Sequence, residues 1–389
     1  MRNPMSIQAQ AVRRDRKVYL SHPVAFALLR TLSGLHHLRI GRIVIVNDLD
    51  LIRGVLTEVE LDRTAIATTG SDLLGSIGIE SGIPFASDER DLPSVAAKRL
   101  GHSGIAELQP LWRAQLDTAQ QTLLAGRRVD VVQVARTMSA ASACHLLGID
   151  PDRDALIDAV LSAARESVDR QLVASRPRAK VTVAQVHPTV ALIAGMMQPV
   201  GPGLLNDLLD SGRDPDLVRG AGVAFALAAV ATTVASVPRA TALASDLRLW
   251  NEILESHSNG RELAMLSEQM LRYTAPTGMI PRVAAQNAVV ETPAGVVLKV
   301  RAGDRLLLVA TNAARHGAGL PGESHASAAQ TRIVFGAGPR ACPGASIARA
   351  QVALALEVLA PTRPQIVQAV PDRGAALPSW KHLIVEARL

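Results

Sequence analysis

The chain has 389 residues, of which 48% are hydrophobic but only 2% aromatic, so alanine, valine and leucine must fill its core. Two cysteines, Cys144 and Cys342, without metal-finger spacing, argue against a disulfide-stapled secreted scaffold and for a reducing cytoplasm. A net charge of +6 and a pI near 9.9 fit an acidic partner or a solvated basic surface, while dispersed basic residues and scarce stacking aromatics argue against nucleic acid.

In chain order, residues 1–20 read as a flexible basic lead-in and residues 21–389 as a single domain. The apolar run Val24–Leu29 is too short for a signal region, which again points to the cytoplasm. His22–Ser33 predicts a short helix, Arg42–Val46 a strand, and Asp48–Leu56 a capped helix. Thr69–Pro93, rich in Gly, Ser and Asp, predicts a long loop. Ala97–Leu124 and Val129–Leu147 carry helical patterns, the second ending at Gly148. Residues 153–200 predict helices interrupted by Pro177, Pro188 and Pro199.

Ala221–Val237 is the longest apolar segment, at 17 residues, and holds Thr232, Thr233 and Ser236. That length only just reaches the spanning range, so a buried helix is expected and no membrane partner. Pro238 is expected to close or kink it. Helices follow at 245–256 and 261–273, then short strands within Val289–Val300 and Arg305–Ala310. After an irregular stretch at 312–330, a glycine-punctuated loop leads into an alanine-rich helix from Ala345 to Glu357. The expected class is mostly α with a minor β part.

The loop reads Phe335-Gly336-Ala337-Gly338-Pro339-Arg340-Ala341-Cys342-Pro343-Gly344. Its glycines permit close backbone approach to a large flat partner, and Cys342 offers a sulfur to a metal. It resembles the haem-binding signature of the cytochrome P-450 family, Phe-Gly-x-Gly-x-(His/Arg)-x-Cys-x-Gly, with every fixed position filled. Ala345-Ser346-Ile347-Ala348-Arg349 is similar to the helix start that follows it there. The resemblance implies the P-450-like fold, haem b with Cys342 as axial thiolate, and a soluble bacterial-type oxidoreductase. It also implies a small organic substrate, a ferredoxin-type electron donor and a place in secondary metabolism.

The same resemblance assigns further residues. Phe335, Gly336 and Gly344 frame the cofactor loop, and Arg340, Arg282 and Arg99 stand where haem carboxylates need cations. The histidine that usually precedes the Arg99 position is Val95, and His102 lies nearby. Thr232 falls at the alcohol position of the central helix, while the acid position beside it is Ala231, which weakens proton delivery. The supporting Glu-x-x-Arg element aligns as Gln269-x-x-Arg272, with Glu268 one position off but able to reach Arg272 at i,i+4. No second partner for that arginine is identifiable around Asn312-Ala313-Ala314-Arg315. These departures imply atypical oxygen activation: peroxide use, oxidative coupling or a non-oxygenase rearrangement. They also support an alternative, a non-catalytic homologue acting as auxiliary partner of another enzyme such as a glycosyltransferase. A dinucleotide reading of Gly336-x-Gly338-x-x-Ala341 fails on Pro339 and on the short chain that follows. No hydrolase motif is present, and Cys144 reads as core.

Overall fold

The computed structural model describes residues 6–62, 65, 98–174, 188–256, 260–338 and 341–388. The loop expected at Thr69–Pro93 lies outside the described residues, as do Val95 and Arg340. Helices dominate. They are α1 (Ile7–Asp15), α2 (Pro23–Thr31), α3 (Leu49–Glu58), α4 (His102–Leu124), α5 (Val131–Leu147) and α6 (Arg153–Ala174). Then come α7 (Pro188–Met196), α8 (Leu204–Asp210), α9 (Pro215–Leu247), α10 (Trp250–Ser256) and α11 (Gly260–Thr274). The last three are α12 (Ala310–Arg315), α13 (Ala328–Arg332) and α14 (Ala345–Leu359).

Among the described residues the strands form three small sheets. β1 (His37–Ile40), β2 (Ile43–Val46), β7 (Arg305–Leu308) and β4 (Ile280–Val283) form one sheet in that spatial order. β2 runs parallel to β7, with Ile43 opposite Arg305, and its four residues are all buried, which explains its unbroken apolar run. β4 was not evident in the sequence because Pro281 lies inside it. Its edge position tolerates a residue that cannot donate to the ladder. β5 (Ala288–Glu291) pairs with β6 (Val297–Val300), while β3 (Val129–Asp130), β9 (Trp380–Glu386) and β8 (Gln365–Pro371) form a third sheet.

Local chemistry explains the helix boundaries. The Asp48 carboxylate accepts the N–H groups of Asp50 and Leu51 at 2.9 and 3.0 Å, capping α3. Asp130 caps α5 in the same way, and Gly148 ends it in the left-handed region at φ 73°. The main core lies among α4, α5, α6, α9, α11 and α14; a second apolar cluster fills the space between α3 and the first sheet.

Two expectations need correction. Residues 6–21 are not a free lead-in: Ser6 caps α1, a 3-10 turn covers Arg16–Ser21, and Ala11 and Val18 are buried in the core. α9 neither ends nor breaks at Pro238. It runs 33 residues, roughly 50 Å at the standard rise, because Val237, Pro238 and Arg239 are all packed inside the protein. By length and composition α9 would cross a membrane, but 72% of its most apolar window is buried within the protein.

Candidate functional site

The cysteine loop is built by its own backbone. A 3-10 turn at Ile333–Phe335 is closed by the Gly336 N–H donating to Ile333 O at 2.9 Å. Gly336 and Gly338 sit at φ 78° and 67°, where a side chain is strained. Gly338 also lies against the end of α3: a Cβ there would stand 3.0 Å from Thr57 Cγ2 and 3.1 Å from Leu56 O. The Cys342 N–H then donates to Phe335 O at 2.7 Å, folding the loop back so that Cys342 precedes the first turn of α14.

Cys342 is solvent-accessible, yet the surrounding protein crowds its thiol enough to push the pKa up. The Gly344 N–H bonded to the sulfur and the Arg349 guanidinium act in the opposite sense. An accessible sulfur with a backbone N–H on it suits a thiolate metal ligand. These residues therefore fit the axial side of a haem site. Phe335 packs behind the loop with the Arg349 guanidinium 4.8 Å from its ring centroid.

The Glu268 carboxylate does not turn to Arg272. It pairs with Arg349 Nε at 2.9 Å, tying α11 to α14. Gln269 does not bond Arg272 in the hydrogen bonds observed either; its Oε1 accepts the Gly322 N–H at 3.0 Å. Arg272 is fully buried and donates to Ala314 O and Gly319 O, each at 2.8 Å, and to Ser324 Oγ at 3.1 Å. Gln269 and Arg272 thus grip the same stretch, residues 314–324, from one helix face. Burial, reinforced by the nearby Arg315 charge, holds the Arg272 pKa below its ordinary value. Its Nε is buried without a hydrogen-bond partner.

The carboxylate of this arginine cluster comes from α1. Asp15, 8% exposed, accepts from Arg239 Nη2 at 2.8 Å and Nε at 3.2 Å, and from Arg315 Nη2 at 3.3 Å. Arg239, itself 1% exposed, also donates to Thr274 O and Ala275 O. Arg315 stacks 4.2 Å from the Tyr273 ring centroid, and the Tyr19 hydroxyl accepts from both arginines. Against the desolvation cost of burial, Asp15 holds the Arg239 pKa up. No local pattern points to this partner, because Asp15 lies 224 residues from Arg239.

On α9, Thr232 Oγ1 donates to Ala228 O at 2.6 Å, bonding back along its own helix. Its proton is thereby engaged and its lone pairs are left as acceptors. Ala231 beside it is buried and offers no acid. Arg99 departs from the expected cationic role: it clasps Asp207 of α8 with two bonds of 2.7 and 3.1 Å, with Glu107 at 3.8 Å. Arg282 lies on β4, half-buried, with Nη1 donating to Pro281 O at 2.8 Å.

No sequence-family description matches the chain. No curated protein matches it either. Solved structures do. The hydroxylase MycCI from Micromonospora griseorubida, bound to mycinamicin VIII, superposes with TM-score 0.70 at 19% identity, covering 93% of this chain and 95% of that one. The cytochrome P-450 enzyme CxnD, for C–S bond formation in chuangxinmycin biosynthesis, gives 0.70 at 18% identity, with 95% of each chain covered. The P-450 enzyme BioI, in complex with an acyl carrier protein ligated to hexadec-9Z-enoic acid, gives 0.69 at 16%, covering 96% and 99%. The chain has the cytochrome P-450 fold.

Proposed function

We propose that the chain is a haem-thiolate oxidoreductase that oxidises a small organic molecule. The observation that carries this is Cys342: an accessible sulfur at the start of α14, with the Gly344 N–H on it, in a glycine loop on a P-450 fold. Cys342 would hold haem b, with Phe335, Gly336 and Gly344 framing it and Arg340 and Arg282 as the cations for its carboxylates. Arg99 leaves that set because Asp207 occupies it. When bound, thiolate-ligated haem supplies oxygen activation. The residues of the chain then bind and orient the substrate and govern protons. Thr232 offers lone pairs rather than a proton, and Ala231 cannot relay one, so proton delivery rests on water or on polar groups of the substrate. This supports oxidative coupling or another atypical outcome as readily as hydroxylation.

The electron donor on this reading is an acidic ferredoxin, which the net charge of +6 would attract. The enzyme would work in the cytoplasm, in secondary metabolism; CxnD, of the same fold, is named for chuangxinmycin biosynthesis. A second reading is favoured by the neutral Gln269, the absent acid at Ala231 and the back-bonded Thr232: a non-catalytic homologue that serves as auxiliary partner of an enzyme such as a glycosyltransferase. Haem stoichiometry in the wild type and in Cys342→Ala separates these readings. The enzyme reading expects one haem per chain, lost in the variant. Unchanged haem content and ligation in the variant would refute Cys342 as ligand.

A further inference from the structure

α9 carries Thr232 and α14 follows Cys342, and a buried polar bridge joins the two helices. Thr233 Oγ1 donates to Gln351 Oε1 at 3.0 Å, and Gln351 Nε2 donates to Ser142 Oγ of α5 at 3.4 Å. Ser142 Oγ also accepts from Trp112 Nε1 of α4 at 2.6 Å and donates its own proton to Met138 O at 2.8 Å. All four side chains are at most 5% exposed. Neither Gln351 nor Ser142 stood out in the sequence.

The proton count of this chain permits one direction. The single proton of Ser142 goes to Met138 O, so the hydroxyl meets Trp112 and Gln351 as acceptor. The Gln351 amide must therefore turn its N–H to Ser142 and its carbonyl to Thr233, which fixes Thr233 as donor. Rotating or sliding α9 against α14 would leave buried polar groups unpaired, at the full desolvation penalty. Thr233 lies one residue, roughly 100° of helix, from Thr232.

We propose that Gln351 is a positioning residue: acting through Thr233, it sets the rotational register of α9, and hence the direction of the Thr232 hydroxyl, against the helix that presents Cys342. This rests on the haem-thiolate reading above. Facing α14, α9 offers small alanine and valine ridges that set rotation only loosely, and its other buried tie, Arg239 to Asp15, holds it to α1 rather than to α14.

The test uses the full chain loaded with haem, reduced and saturated with carbon monoxide, and reads the Soret band and the C–O stretching band by infrared spectroscopy. Gln351→Met and Thr233→Val should each shift or broaden the C–O band in the same way, and the double variant should add nothing further. Gln351→Glu should give a band that changes with pH, because only its protonated form can donate to Ser142; the wild-type band should not. Thr233→Val keeps the β-branched shape and carries the test if Gln351→Met does not fold. A thiolate-type Soret band with an unchanged C–O band in both Gln351→Met and Thr233→Val would overturn this inference alone. A wild-type chain without haem would overturn the haem reading and this inference with it.

Discussion

Asp15→Asn tests the arginine cluster most sharply. The substitution keeps the volume but removes the carboxylate that faces Arg239 and Arg315 at 2.8 and 3.3 Å. Arg239, 1% exposed, then retains only neutral acceptors, Thr274 O, Ala275 O and Tyr19 Oη. Breaking a buried pair by removing one partner costs about 3–5 kcal/mol, because the surviving charge stays buried. An unfolding entropy of about 2.1 cal/mol/K per residue over 389 residues gives roughly 0.8 kcal/mol/K, so the midpoint should fall by roughly 4–6 °C. Thermal unfolding followed by circular dichroism reads this directly. Adding Arg239→Met should cost less than the sum of the single changes, since both ends of the pair are then gone. An Asp15→Asn midpoint within about 1 °C of the wild type would refute α1 as the source of the compensating charge.

Other outcomes follow from the same geometry. Burial, countered by Arg14 and reinforced by Asp15, pushes the Asp246 pKa from 3.8 up to about 6. Between these values the folded state holds more protons than the unfolded chain, so stability should decline as pH rises from about 4 to about 6 and level off above. That rise corresponds to about 3 kcal/mol, and denaturant titrations of Asp246→Asn should lose that part of the pH slope. A variant retaining the full slope would place its origin elsewhere. Gly338→Ala meets both the left-handed φ of 67° and Leu56 O at 3.1 Å; it should cost about 1–2 kcal/mol for the backbone alone and lower haem retention. An unchanged midpoint and haem content in that variant would mean that the loop yields freely.

The sequence carries some parts of this molecule far better than others, and the division follows contact distance. The Cys342 loop was legible because its determinants are local: two left-handed glycines and a cysteine within a few residues, followed at once by a helix. Asp48 and Gly148 marked helix ends for the same reason. Asp15 and Gln351 were invisible because their partners lie 224 and 118 residues away in the chain. Pro238 misled because a helix-breaking preference yields to packing when the whole segment is buried. Glu268 misled in another way: its i,i+4 spacing to Arg272 was permissive, and a longer-range partner, Arg349, took it.

On the reading proposed above, Cys342 ligates haem as a thiolate. The absorption spectrum of the purified full chain, reduced and exposed to carbon monoxide, tests it most directly. A strongly red-shifted Soret band is the result predicted here. A folded chain, produced with ample haem, that shows no haem absorbance would contradict the claim and favour the auxiliary-partner reading.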